Sequence, residues 1–111
     1  MKRRQEQPKI TLDTKVQRDP KQEFSAIDNE VVMLSLKNGE YYYLNPVASK
    51  IWELIKEPQK INILIDVLSD EYIVKKDVCR QDVLECINDF SSKGLIIIYD
   101  KQNNLQYTAS N

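Results

Sequence analysis

Histidine is absent from this chain of 111 residues, and glycine and cysteine each occur only twice. Without histidine, the sequence lacks the commonest general base and a common zinc ligand. Gly39 and Gly94 both fit turns, so no Gly-rich phosphate-binding loop can form. We therefore expect no enzymatic activity, no metal and no cofactor.

The two cysteines, Cys79 and Cys86, lie seven positions apart in a helical pattern. Seven residues of α-helix rise about 10.5 Å, which is too far for a disulfide between them. We expect both thiols to be buried as small apolar groups rather than used in redox chemistry.

Charge and hydropathy exclude further classes of protein. The formal net charge of −1 argues against a protein that follows nucleic-acid phosphates. No apolar run approaches the roughly 18 residues of a membrane span, and no secretory segment follows Met1–Arg4. We expect a cytoplasmic protein with neither nucleic acid nor membrane as a partner. Its length suits a single domain, expected at 9–107 after a disordered polar tail at 1–8.

A strand, a tight turn, a second strand and a helix follow one another between residues 31 and 56. Asn38-Gly39 favours the positive φ angles of a two-residue hairpin turn. The flanking runs 31–36 and 40–44 are rich in residues that favour strands. Asn45 can then accept from the first N–H groups of a helix whose first position suits Pro46.

The spacing of apolar residues predicts the other elements. Period-2 alternation over Lys9–Arg18 predicts a strand that joins the hairpin in one sheet. Apolar stripes of helical period predict helices at about Pro46–Lys56, Lys60–Tyr72 and Asp77–Lys93, and a short hairpin follows at 95–107. The predicted fold class is α+β and winged-helix-like: a three-stranded antiparallel sheet, three helices and a short C-terminal hairpin.

Two motifs are more specific for a protein family when taken together than either motif is alone. The first is the run Gly39–Pro46, with its Leu-Asn step, which leads into an apolar helix carrying Trp52. The second is Asp82-Val83-x-x-Cys86-Ile87-x-x-Phe90-x-x-x-Gly94-Leu95. In order, spacing and domain size they resemble the PqqD-like family, the RiPP recognition elements, over roughly residues 10–98.

The resemblance implies a binding protein without chemistry of its own. Such proteins hold the leader segment of a ribosomally made precursor peptide and deliver it to a modifying enzyme. The leader would add as a strand beside the third sheet strand and pack against the last helix. By position, the resemblance assigns binding to Glu40, Tyr41, Tyr42, Tyr43, Leu44, Asp82, Val83 and Ile87.

The resemblance leaves the pathway open. The partner enzyme would be a leader protease, a cyclase or a radical enzyme, and a lasso-peptide cluster is the first expectation.

Strand alternation places Tyr41 and Tyr43 on one face and Tyr42 on the other, so one sheet face cannot bury all three rings. Trp52, by contrast, is expected in the core because it shares an apolar stripe with Ile51 and Ile55.

A winged-helix DNA-binding regulator is the alternative function. Its recognition helix would be the third helix, which carries four acidic residues alongside three basic ones: Asp77, Asp82, Glu85 and Asp89, and Lys75, Lys76 and Arg80. Acidic side chains are poor partners for phosphates, so the peptide-binding interpretation is favoured.

Overall fold

The computed structural model describes residues 10–28, 30–34, 39–99 and 106–108, the last of these by backbone alone. The predicted tail at 1–8, Asn38 and the turn at 101–104 lie outside the described residues. The elements in chain order are β1 Lys15–Arg18, β2 Glu23–Ile27, β3 Glu30–Leu34, β4 Tyr41–Tyr43, α1 Pro46–Leu54, β5 Gln59–Lys60, α2 Ile61–Tyr72, α3 Lys76–Ser92, β6 Ile96–Tyr99 and β7 Gln106–Thr108.

The strands form two antiparallel sheets. One sheet has the order β2-β3-β4 and the other the order β5-β1-β6-β7. The predicted α+β, winged-helix-like class is confirmed, with a three-stranded sheet, three helices and a C-terminal hairpin of β6 and β7.

The first strand, β1, was assigned from the sequence to the wrong sheet. It is shorter than Lys9–Arg18, because Thr14 N–H donates to Thr11 O at 3.1 Å in a turn, and of the described residues in this range only Lys15–Arg18 form a strand. It pairs with β6 across more than 80 positions of sequence, as the register Lys15 opposite Tyr99 shows. Its predicted place beside the hairpin is taken by β2.

The helices begin and end close to their predicted positions, for local reasons. Asn45 accepts the Ala48 N–H at 2.8 Å through its side-chain oxygen, and Pro46 occupies the first position of α1. Gly94 has φ +72°, a left-handed conformation that follows the end of α3 at small cost for glycine. Within the described segments, no helix is long and apolar enough to cross a membrane.

The core lies between the helices and one face of each sheet. Trp52 on α1 is 1% exposed, as predicted, and its ring meets Phe90 of α3 edge-on at 5.5 Å between centroids. The stripe of α2 is buried as predicted at Ile61, Leu64, Ile65 and Leu68. Burial of this apolar area holds the three-stranded sheet against α1 and leaves both of its edge strands at the surface.

Candidate functional site

The outer edge of β4 presents backbone groups that no strand of the described chain pairs with. Leu44 N–H donates to Val31 O at 2.9 Å, so this pair is hydrogen-bonded. Bonded and non-bonded pairs alternate along an antiparallel ladder, so the peptide groups of Tyr42 also point towards β3. Those of Tyr41 and Tyr43 therefore point away from the sheet, which makes β4 a strand with an open edge.

A buried hydroxyl fixes this edge to the first helix. Ser49 is 4% exposed, and its Oγ accepts the Val31 N–H at 3.0 Å while donating to Leu44 O at 3.2 Å. The hydroxyl thus bridges β3 and β4 at the point where the chain turns into α1. This bridge holds the end of β4 in a fixed position relative to α1.

A groove of about 410 Å³ lies beside the open edge, between the end of β4, the first turn of α1 and one face of α3. Its lining residues are Tyr43, Leu44, Asn45, Val47, Ala48, Asp82, Glu85, Cys86, Asp89 and Phe90. The apolar members come from all three elements, whereas the carboxylates come from α3 alone. The groove can therefore take an apolar side chain next to a charged or N–H-donating group.

The α3 wall of the groove is acidic. Asp82, Glu85 and Asp89 lie at helical spacing, which places them on one face of α3. Asp89 pairs with Lys93 at 2.6 Å, and the Lys93 ammonium also lies 5.4 Å from the centre of the Tyr42 ring. Within the described segments, Asp82 and Glu85 have no cationic partner, so this wall favours a basic ligand.

Cys79 is buried as expected, whereas Cys86 is only partly buried and contributes a neutral thiol to the groove. Burial, together with the neighbouring Asp89 carboxylate, raises the pKa of Cys86 to about 12. Burial also raises the pKa of Cys79, which lies in the core with the buried residues of α2. Both thiols are free cysteines that stay protonated at neutral pH, so Cys86 acts as an apolar contact there.

The structure brings together only some of the residues that the sequence assigned to binding. Tyr43, Leu44 and Asp82 line the groove. Tyr41 is 61% exposed on the outer sheet face, and Tyr42 is half-buried on the inner face. The expected alternation of the three rings is thereby confirmed. Glu40 is exposed just before β4.

Val83 and Ile87 occupy a different environment from the groove. Both are fully buried core residues, and neither lines the groove. Their role in binding stays a prediction, and burial argues against direct contact. Sequence reasoning missed Glu85 and Cys86, which face the groove beside Asp82. Their spacing from Asp82 is the signal that could have found them, although a polar helix face is usually just solvated.

The described residues hold no group of three or more side chains suited to a metal ion. The exposed surface of α3 carries Asp77, Asp82, Glu85 and Asp89, as expected from the sequence. This charge argues against insertion of α3 into a DNA groove.

Two comparisons relate the chain to known proteins. Residues 30–96 match the model of the family described as Coenzyme PQQ synthesis protein D (PqqD). The structure is similar, with a TM-score of 0.66 and 29% sequence identity, to a solved structure of TbiB1 in complex with the TbiA(beta) leader peptide. That similarity covers 72% of this chain and 93% of TbiB1. No curated protein sequence matches the chain significantly. Since the family model spans more than half of the sequence, this protein belongs to the PqqD family.

Proposed function

We infer that this protein binds the leader segment of a ribosomally synthesised precursor peptide, by adding the leader as a strand to the outer edge of β4. The observation that carries the inference is the outward direction of the Tyr41 and Tyr43 peptide groups directly beside the groove. An extended peptide would satisfy these donors and acceptors, which is the general basis of strand addition. The similarity to TbiB1, solved with a leader peptide, supports the same role.

Strand alternation indicates which side chains of such a leader the protein would recognise. Every second side chain of an added strand would face inwards, towards Leu44, Cys86 and Phe90 in the groove. The intervening side chains would face outwards, beside the exposed rings of Tyr41 and Tyr43. Backbone pairing supplies affinity that is independent of sequence, so selectivity would come from these two rows of contacts.

The charges of the groove narrow the class of leader. Asp82 and Glu85 lack a cationic partner among the described residues, whereas Asp89 is neutralised by Lys93. A leader with a lysine or arginine next to an apolar inward-facing residue would complement this arrangement. An acidic residue at the same position would meet like charges and bind more weakly.

We further propose that the bound leader is delivered to a modifying enzyme, which would be a leader protease, a cyclase or a radical enzyme. A lasso-peptide cluster stays our prediction for the pathway. Genes beside the one for this protein can decide between these partners. A short precursor frame next to a transglutaminase-like protease and an asparagine-synthetase-like cyclase would indicate the lasso type, and a radical enzyme would indicate another.

Calorimetry with the neighbouring precursor tests the binding function. A leader of roughly 15–25 residues is expected to bind with a dissociation constant of about 10 nM to 10 μM, after the costs of ordering an extended peptide. The core segment of the same precursor is the matched control and is expected to add little. Binding of the core segment alone would refute leader recognition.

A further inference from the structure

A second cavity, of about 750 Å³, lies on the same inner face of the three-stranded sheet as the leader groove but at the opposite edge, beside β2. It is bordered by the end of β1, by the inner side of β2 and β3, by α1 and Lys56 just after it, and by the end of α2. Its lining residues are Arg18, Phe24, Ala26, Val31, Pro46, Ser49, Lys50, Trp52, Glu53, Lys56, Glu71 and Tyr72. None of the residues assigned to the leader groove contributes to it.

The cavity lies beneath the second open edge of the same sheet. Since β3 uses Val31 and Met33 to bond β4, its alternate residues bond β2, as alternation along a central strand requires. The peptide groups of Phe24 and Ala26 therefore point away from the sheet, while their side chains face the cavity. Like β4, β2 has an outer edge that no strand of the described segments pairs with, and this edge lies directly above a cavity.

An aromatic and cationic cluster forms one wall. The Trp52 and Phe24 rings meet edge-on at 5.8 Å between centroids, and the Arg18 guanidinium lies 4.7 Å from the centre of the Phe24 ring. Arg18 Nη1 also donates to the Trp52 carbonyl at 3.2 Å. The indole Nε1 of Trp52 is buried and has no hydrogen-bond partner among the described residues, which is a costly state for a donor.

The charge of this cavity is opposite to that of the leader groove. Its two carboxylates, Glu53 and Glu71, both pair with Lys50, at 3.9 Å and 3.5 Å. Arg18 and Lys56 have no carboxylate partner in the described part of the chain. An acidic ligand would therefore complement this cavity, whereas the leader groove favours a basic one.

We propose that β2 is a second strand-addition site, which takes an extended, acidic and apolar segment of the modifying enzyme. Inward-facing positions of an added strand are two residues apart, so the segment would carry an apolar residue for Phe24 and Trp52 two positions from a carboxylate for Arg18 or Lys56. With the leader on β4, the sheet would then hold leader and enzyme on opposite edges at the same time. Only the identity of the occupant as the modifying enzyme rests on the proposed function.

A titration of the full ¹⁵N-labelled chain with two capped heptapeptides tests the site. The probe is acetyl-Thr-Leu-Thr-Glu-Thr-Val-Thr-amide, and the control has lysine in place of glutamate. We expect the probe to shift the Phe24 and Ala26 amides with a dissociation constant of about 1 mM or tighter, and the control to bind at least about tenfold more weakly. The chain has one tryptophan, so its single indole signal is unambiguous. Because that ring also touches Phe90 of the leader groove, the β2 amides decide the result.

Two variants separate edge pairing from non-specific contact. K56E reverses an exposed charge, and we expect it to weaken binding of the probe at least about fivefold. We expect it not to weaken binding of the lysine control. A26P removes an outward N–H, and we expect it to abolish the β2 shifts in a chain that keeps its circular dichroism spectrum. Equal shifts with both peptides, shifts confined to β4 and α3, or no shift at about 5 mM would overturn the second site. Leader binding is measured separately at β4, so its success or failure is independent of this result.

Discussion

Proline at position 43 is expected to block leader binding without breaking the sheet. The Tyr43 N–H points away from β3, so its loss leaves the β3–β4 ladder intact. Proline is tolerated at such edge positions, and its fixed φ is close to extended values. Proline at Tyr42, whose N–H points towards β3, would instead remove a bond within the sheet.

The magnitude follows from the number of bonds at stake. Tyr41 and Tyr43 together offer two outward N–H groups and two outward carbonyls to an added strand. Loss of one donor leaves a leader carbonyl facing the proline ring without a partner, which costs roughly 1–3 kcal/mol. The dissociation constant should therefore rise by about 5-fold to 150-fold in Y43P.

Calorimetry with the leader peptide, run beside thermal unfolding, provides the measurement. Y43V is the matched control, because it removes the exposed ring but keeps the N–H group. Y43V is expected to retain more affinity than Y43P, and Y42P is expected to unfold at a lower temperature than either. A folded Y43P variant with the affinity of the unaltered chain would refute pairing along β4.

Three further variants test the groove and its supports. D82K should weaken the binding of a basic leader by about 1–2 kcal/mol and leave the melting temperature within a few degrees of the original. D77K, which changes a residue on the same helix outside the groove, should not weaken leader binding. V83A should lower the free energy of unfolding by roughly 1–4 kcal/mol, because Val83 is fully buried, and leader affinity should change little in the folded fraction. C86A tests the raised pKa of Cys86: the unfolded thiol ionises from about pH 9 whereas the folded one resists until about pH 12. The protonated thiol therefore contributes fully to the free energy of unfolding below pH 9, and this contribution is lost by up to about 1.4 kcal/mol per pH unit as the pH rises towards 12. Denaturant titrations should show that the free energy of unfolding falls less steeply over this range in C86A.

Local signals in the sequence predicted most of the fold. The cap at Asn45, the glycine after α3 and the apolar stripes of the three helices each act within a few residues of the elements they define. The pairing of β1 was not predictable in this way, because its partner β6 lies about 80 residues further along the chain. Alternation shows that a segment is extended, but it does not show which edge the segment joins.

The candidate site was predictable in part. The spacing of Asp82, Glu85 and Cys86 marks one face of α3, but only the position of β4 relative to α3 makes that face part of a groove. The second cavity left no signal in the sequence. Arg18, Phe24 and Trp52 come from three separate elements, and tertiary packing alone brings their rings and charge together.

Hydrogen exchange at the amides of β4 tests strand addition most directly. In the unbound protein, the Tyr42 amide should be protected by the sheet, whereas the Tyr41 and Tyr43 amides should exchange quickly with solvent. Addition of the leader should slow exchange at Tyr41 and Tyr43 and leave Tyr42 as it was. Saturating leader that leaves the Tyr41 and Tyr43 amides unprotected would contradict the account.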